Sequence, residues 1–87
     1  MGEVAATVKL MPVDVDVDLD KIIETIKKVI PEELHSIEKE PIAFGLVALI
    51  VVFVVEDGEG GTEEVEKKLS DIEGISTVEI TNTTRLM

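Results

Sequence analysis

The ten residues Leu46–Val55 (LVALIVVFVV) contain no polar side chain, and this run constrains the fold more than any other feature of the chain. Taken back to Ala43 the apolar stretch is thirteen residues long and is interrupted by Gly45. That is too short to span a bilayer as a helix, which needs about 20 residues. Its Val and Ile content favours a strand instead. Val47, Leu49, Val51, Phe53 and Val55 would lie on one face of that strand, and Leu46, Ile50, Val52 and Val54 on the other. A sheet covered by helices on one side needs only one apolar face. Two explanations of the second face stand side by side. Either this is a central strand shielded by neighbouring side chains, or the open face meets a partner or another copy of the chain.

The segments around this run supply the rest of a small domain. Glu3–Val13 reads as a strand, with Val4, Ala6, Val8 and Leu10 on one face and Thr7 and Lys9 on the other. Asp18 is placed to cap a helix, and Asp20 sits in its first turn, where the helix dipole favours a carboxylate. Ile22, Ile23, Ile26, Val29 and Ile30 recur at helical spacing, Lys27 and Lys28 suit the last turn, and Pro31 ends it. Leu34–Ile42 is predicted to be an exposed edge strand, with Leu34, Ser36, Glu38 and Glu40 opposite His35, Ile37 and Lys39. After Leu46–Val55, a loop from Glu56 to Gly61 leads to a second helix. Thr62 is its expected cap, Val65, Leu69 and Ile72 its buried stripe, and Gly74 its C′ residue. Ile75–Thr84 closes the chain as a strand, with Val78 and Ile80 on one face and Thr77, Glu79, Thr81 and Thr83 on the other.

The order is β-α-β-β-α-β, the split βαβ pattern. Right-handed crossovers put both helices on one face of a four-stranded antiparallel sheet. The fold class expected is therefore α+β, a ferredoxin-like two-layer sandwich. With 87 residues there is room for one domain only, residues 1–87.

Charge narrows the function. Eight Lys+Arg against 19 Asp+Glu give a formal −11 and a sequence pI near 4.3. Phosphate contacts need a basic face, so nucleic acid and anionic membrane surfaces are disfavoured partners. Trp and Tyr are absent, which removes the platforms on which bases stack. With no Cys there is no disulfide framework, no thiol nucleophile and no Cys-based metal site, and the cytoplasm is the default location.

No motif reads as an active site, and the chain is expected not to be an enzyme and to need no cofactor. The ladder Asp14, Asp16, Asp18, Asp20 resembles a calcium loop until its spacing is tested: the sixth and twelfth positions are Leu19 and Thr25, where Gly and Glu are required. Weak divalent cation binding to so acidic a surface remains open. Gly58–Thr62 precedes a helix but lacks the Lys of a phosphate loop. His35, the only histidine, has no Cys to activate and only Ser36 beside it.

Two segments stand apart. Pro41-Ile42-Ala43-Phe44-Gly45 falls between two predicted strands, so it should form a hairpin tip, with Pro41 and Gly45 as turn residues. Phe44 there either plugs the edge of the core or projects as an apolar wedge for a protein pocket. At the other terminus, Arg85 is the only Arg of an acidic chain and is followed by Leu86. It belongs either to a frayed end or to a contact with a partner's phosphate or carboxylate.

Pro41-Ile42-Ala43-Phe44-Gly45, the strand ending Val54-Val55-Glu56-Asp57, and Gly61-Thr62 before an acidic helix together resemble the guanine-nucleotide exchange domain of the elongation factor 1-beta family. Val8-Lys9-Leu10-Met11-Pro12 and Ile80-Thr81-Asn82-Thr83-Thr84-Arg85-Leu86 extend the resemblance over nearly the whole chain, at a length similar to the archaeal form. The resemblance implies a ferredoxin-like fold. It also implies a partner, the GTPase elongation factor 1-alpha, whose GDP the domain would release so that GTP can bind. It assigns the inserting aromatic to Phe44, and to Arg85 the place of a C-terminal Lys that reaches toward the nucleotide and magnesium region. Two positions depart from the family pattern: Arg85 for that Lys, and Ala43 where Gly is frequent. The alternative reading is a small oligomerising or ligand-binding regulatory domain of the same fold, using the apolar open face.

Overall fold

Ala6, Val8 and Leu10 occupy alternate positions of β1 (Glu3–Pro12), and all three are fully buried. The same alternation in β3 (Val47–Glu56) buries Leu49, Val51 and Phe53. The two strands pair antiparallel with Val8 opposite Val51 and Leu10 opposite Leu49, so their buried rows lie side by side. These facts come from a computed structural model, which describes residues 2–56 and 61–86. Of the expected loop from Glu56 to Gly61, residues 57–60 lie outside the described residues.

Two helices close over that row. In α1 (Leu19–Val29), the Asp18 carboxylate accepts hydrogen bonds from the backbone N–H groups of Asp20 and Lys21 at 3.1 and 3.4 Å, as the sequence predicts for its cap. Ile22 and Ile26, one helical turn apart, are buried, with Ile30 just beyond the helix. In α2 (Gly61–Ser70), Val65 and Leu69 play the same part, and Ile72 follows in the turn after it. All of these join the sheet residues in one hydrophobic cluster, so both helices share one face of the sheet. With β2 (Leu34–Pro41) and β4 (Ile75–Leu86), the sheet order is β2-β3-β1-β4, all neighbours antiparallel. This is the ferredoxin-like α+β arrangement, with β2 at an edge as expected.

Several local expectations need correction. A register shift between Leu34 and Ser36 moves Leu34 to the side of Ile37, and both pack against the core instead of alternating. In β4 an extra residue, Thr81, interrupts the pairing with β1, and its hydroxyl donates to the Thr7 carbonyl at 3.2 Å. The bulge puts Thr83 opposite Ala6, on the helix side with Ile80. Thr62 lies inside the first turn of α2, because the helix begins one residue earlier. Gly74 is not the C′ residue of a helix that ends at Ser70. It forms the turn into β4, with φ +99°, and the N–H of Ile75 bonds back to the carbonyl of Ile72.

The open face of the sheet is less apolar than the run suggested. Ile50, Val52 and Val54 are half-buried, flanked by Thr7 and Lys9 of β1 and by exposed Glu38 and Glu40 of β2. Neighbouring side chains shield the stripe. Among the described residues, no helix is long and apolar enough to cross a membrane.

Candidate functional site

The connection from β2 to β3 is closed by two backbone hydrogen bonds: the Ile42 N–H donates to Leu46 O at 2.9 Å, and the Leu46 N–H to Ala43 O at 3.1 Å. The second encloses a turn whose central residues, Phe44 and Gly45, have φ values of +60° and +80°. Two positive φ angles mark a type I′ turn, whose twist suits an antiparallel hairpin. Glycine adopts that geometry without steric penalty. Phenylalanine does not: its Cβ crowds the backbone, and a bulky residue in this region is an outlier. Phe44 is the only described non-glycine residue with positive φ.

Burial gives no compensation. Phe44 is 95% exposed. It therefore does not plug the edge of the core, which Phe53, Leu49 and Val51 fill from the middle of β3. Pro41, at the end of β2 opposite Val47, is exposed and leads the chain into the tip. The fold thus gathers Pro41, Phe44 and Gly45 at one end of the sheet and holds an aromatic ring out into solvent there.

Arg85 and Leu86 lie at the other end. They do not fray: β4 runs to Leu86, with Arg85 opposite Val4 and Leu86 opposite Glu3. Arg85 is exposed, on the helix side of the sheet beside Val4 and Val55. Pro12, near the hairpin end, is eight residues along β1 from Val4, which at about 3.3 Å per residue separates the two ends by roughly 26 Å. The residues singled out in the sequence thus lie at two opposite ends of the sheet, not together.

The remaining chemical candidates are accounted for locally. Asp18 caps α1, and Asp14 accepts from the N–H of Val15 at 2.6 Å. Asp20 meets Lys39 of β2 at 3.2 Å in an exposed ion pair. His35 is exposed. No group of three or more His, Cys, Asp or Glu among the described residues is arranged to hold a metal ion.

In sequence the segment between β1 and α1 stands out for its strand-like alternation, its acids and its helix cap. The structure adds that Val15 lies against the hairpin turn, its Cγ1 3.8 Å from where a Cβ on Gly45 would stand. The available signal was the alternation of Val with Asp from Val13 to Asp18, too hydrophobic for a purely solvated loop.

Residues 5–86 match the family described as the EF-1 guanine nucleotide exchange domain. The chain is 57% identical to the elongation factor 1-beta of Methanothermobacter thermautotrophicus and 53% identical to that of Methanobrevibacter smithii, in each case over 100% of both chains. It is 39% identical to the elongation factor 1-beta of Halorubrum lacusprofundi, over 99% of this chain and 100% of that one.

Proposed function

This chain belongs to the EF-1 guanine nucleotide exchange domain family, and from that premise we propose that it binds the GTPase elongation factor 1-alpha and accelerates release of its GDP, so that GTP can bind. A role of this kind in translation elongation belongs in the cytoplasm. It requires no covalent chemistry.

The physical requirement is differential affinity. An exchange factor must bind the nucleotide-free GTPase more tightly than the GDP-bound one. By linkage, GDP affinity falls by the same factor while the exchange factor is bound. Each tenfold loss of GDP affinity needs about 1.4 kcal/mol of that preference. Burying one Phe side chain from full exposure contributes about 1.5–3 kcal/mol. If the pocket that receives the ring exists only in the nucleotide-free GTPase, Phe44 alone would supply roughly a ten- to hundredfold effect.

The observation that carries this reading is Phe44 itself, 95% exposed and at φ +60°. Both features work against the isolated domain, and both are what a projecting wedge requires. Arg85, from the opposite end, is assigned a separate contact with the nucleotide-binding region. As a planar donor fork it suits carboxylate or phosphate oxygens better than a point charge does.

Stopped-flow release of a fluorescent GDP from elongation factor 1-alpha tests the proposal. The domain should accelerate release, and Phe44→Ala should reduce the acceleration roughly ten- to hundredfold without unfolding the domain. Arg85→Ala should reduce it independently. A domain that leaves the release rate unchanged would refute the exchange role, and undiminished acceleration by Phe44→Ala would refute the wedge.

A further inference from the structure

The large hydrophobic side chains that are exposed among the described residues are Val13, Val15 and Phe44, and all belong to one end of the molecule. The register explains why. β1 ends at Pro12 and β3 begins at Val47, and the two strands run antiparallel with Leu10 opposite Leu49. The segment leaving β1 therefore emerges beside the β2–β3 turn. Val13 bonds through its N–H to Gly74 O at 2.9 Å, in the turn before β4 on the other flank of β1, while Val15 contacts the β2–β3 turn at Gly45. Asp14, Val15 and Val17 of this segment, with Pro12, Gly45 and Val47, are among the residues lining a small cleft there.

An exposed Val in isolation calls for no explanation. Here, however, Val13 and Val15 are 61% and 54% exposed in a loop that alternates them with acids, at the same end of the sheet as exposed Phe44, and Val15 stands against the glycine that follows it. Asp14 and Asp16 are exposed on the same loop. This is the anatomy of a docking patch, with an apolar centre and a charged rim.

We propose that Val13 and Val15 form the second half of the Phe44 docking surface, and that Asp14 and Asp16 are its acidic rim. The occupant is the GTPase of the proposed exchange role, on which this inference rests. The matching surface on that partner is an apolar depression bordered by Lys or Arg. Phe44 enters the depression, the two valines cover its margin and exclude water, and the carboxylates steer the approach of the basic border. The Asp ladder thus has a purpose beyond capping α1: Asp18 serves the fold, while Asp14 and Asp16 serve the encounter.

The test is a binding titration against nucleotide-free elongation factor 1-alpha, with association rates measured at several salt concentrations. Wild type, Val13→Ser/Val15→Ser, Asp14→Asn/Asp16→Asn and Phe44→Ala are compared, each checked by urea melting for an intact fold. The valine pair should weaken affinity at least tenfold, chiefly through faster dissociation. The aspartate pair should slow association at low salt and flatten its salt dependence. Should the valine pair lower the urea midpoint, Val15→Lys, which keeps the aliphatic stem but opposes a basic border, must give the same loss of affinity. If wild type binds and Phe44→Ala binds weakly while the valine variants match wild type within twofold, the loop proposal is overturned and the exchange role stands. If wild type itself neither binds nor speeds GDP release, both are overturned.

Discussion

Replacing Phe44 with Asn should make the domain more stable and less active at once. In the turn, Phe44 holds φ +60°. The left-handed conformation costs an ordinary L-residue about 1–2 kcal/mol. Asn tolerates it, and Asn-Gly is the preferred pair at the centre of a type I′ turn. The substitution would create that pair, since Gly45 already stands at +80°. Little is lost in exchange. With the ring 95% exposed, only a twentieth of its surface leaves contact with the protein. Against the 1.5–3 kcal/mol of a fully buried Phe, that is at most about 0.2 kcal/mol. The net gain expected is therefore about 1 kcal/mol. In a domain of this size it raises Tm by about 4–8 °C, and with a urea m-value of about 1–2 kcal/mol/M it raises the midpoint by about 0.5–1 M at unchanged slope. Urea and thermal melts measure this directly, and GDP release from elongation factor 1-alpha is followed on the same samples. A midpoint that falls would refute the reasoning, because it would mean that the ring packs against the Val15 segment. A midpoint that stays put would show that the turn carries no strain. A rise in stability with undiminished exchange would detach Phe44 from function.

Two further substitutions probe the frame that holds the tip. Gly74→Ala should destabilise by more than about 1 kcal/mol, because φ is +99° and the new Cβ would stand 3.2 Å from Val17 Cγ1 and 3.5 Å from Ile22 Cδ1; an unchanged urea midpoint would contradict the assigned turn. Asp18→Ala should cost about 1 kcal/mol by leaving the Asp20 and Lys21 N–H groups without their carboxylate acceptor, and Asp18→Asn should recover most of it; equal loss in both variants would point to charge, not capping, as the origin.

Secondary structure was legible wherever one physical requirement dominated. Alternation in β1 and the helical spacing of Ile22 and Ile26 each have one solution that buries them, and the structure adopts it. The errors fall where local and tertiary demands compete. Leu34 breaks the expected alternation because a register shift lets it reach the core beside Ile37, and strict period-two counting cannot anticipate an inserted residue. The extra Thr81 in β4 is invisible for the same reason. As a glycine after an amphipathic stretch, Gly74 reads as a helix C′ residue, yet its positive φ is needed one residue before β4, in a turn that the sheet defines. The candidate site divides similarly. Pro and Gly announced the hairpin tip, but whether Phe44 folded inward depended on how completely Phe53 and Leu49 filled the core, which is a matter of packing. Val13 and Val15 are masked in sequence by their acidic neighbours, and the place of Val15 beside the turn follows from the pairing of β1 with β3.

The separation of Phe44 from Arg85 bears on how, under the proposed role, so small a domain would act on a GTPase. No side chain spans the roughly 26 Å between the ends of β1, so Phe44 and Arg85 cannot act on the same group of a partner. They can act together only if one rigid element fixes their spacing. The sheet is that element: β1 is paired with β4 out to Arg85 and with β3 as far as Leu49, close to the hairpin, and the fully buried Val8, Leu10, Val51 and Phe53 lie between. Once one end docks, the other is presented to the partner at a high effective concentration, provided the intervening strands do not bend. The conformational entropy of bringing the second contact to its target has then been expended in folding, before the encounter. Under the proposed role, the binding preference for the nucleotide-free state is distributed over two distant contacts, and a partner conformation that satisfies only one of them holds the factor less tightly. Under that role the apolar run of β3 connects to function: its buried row would hold Phe44 and Arg85 at a fixed separation.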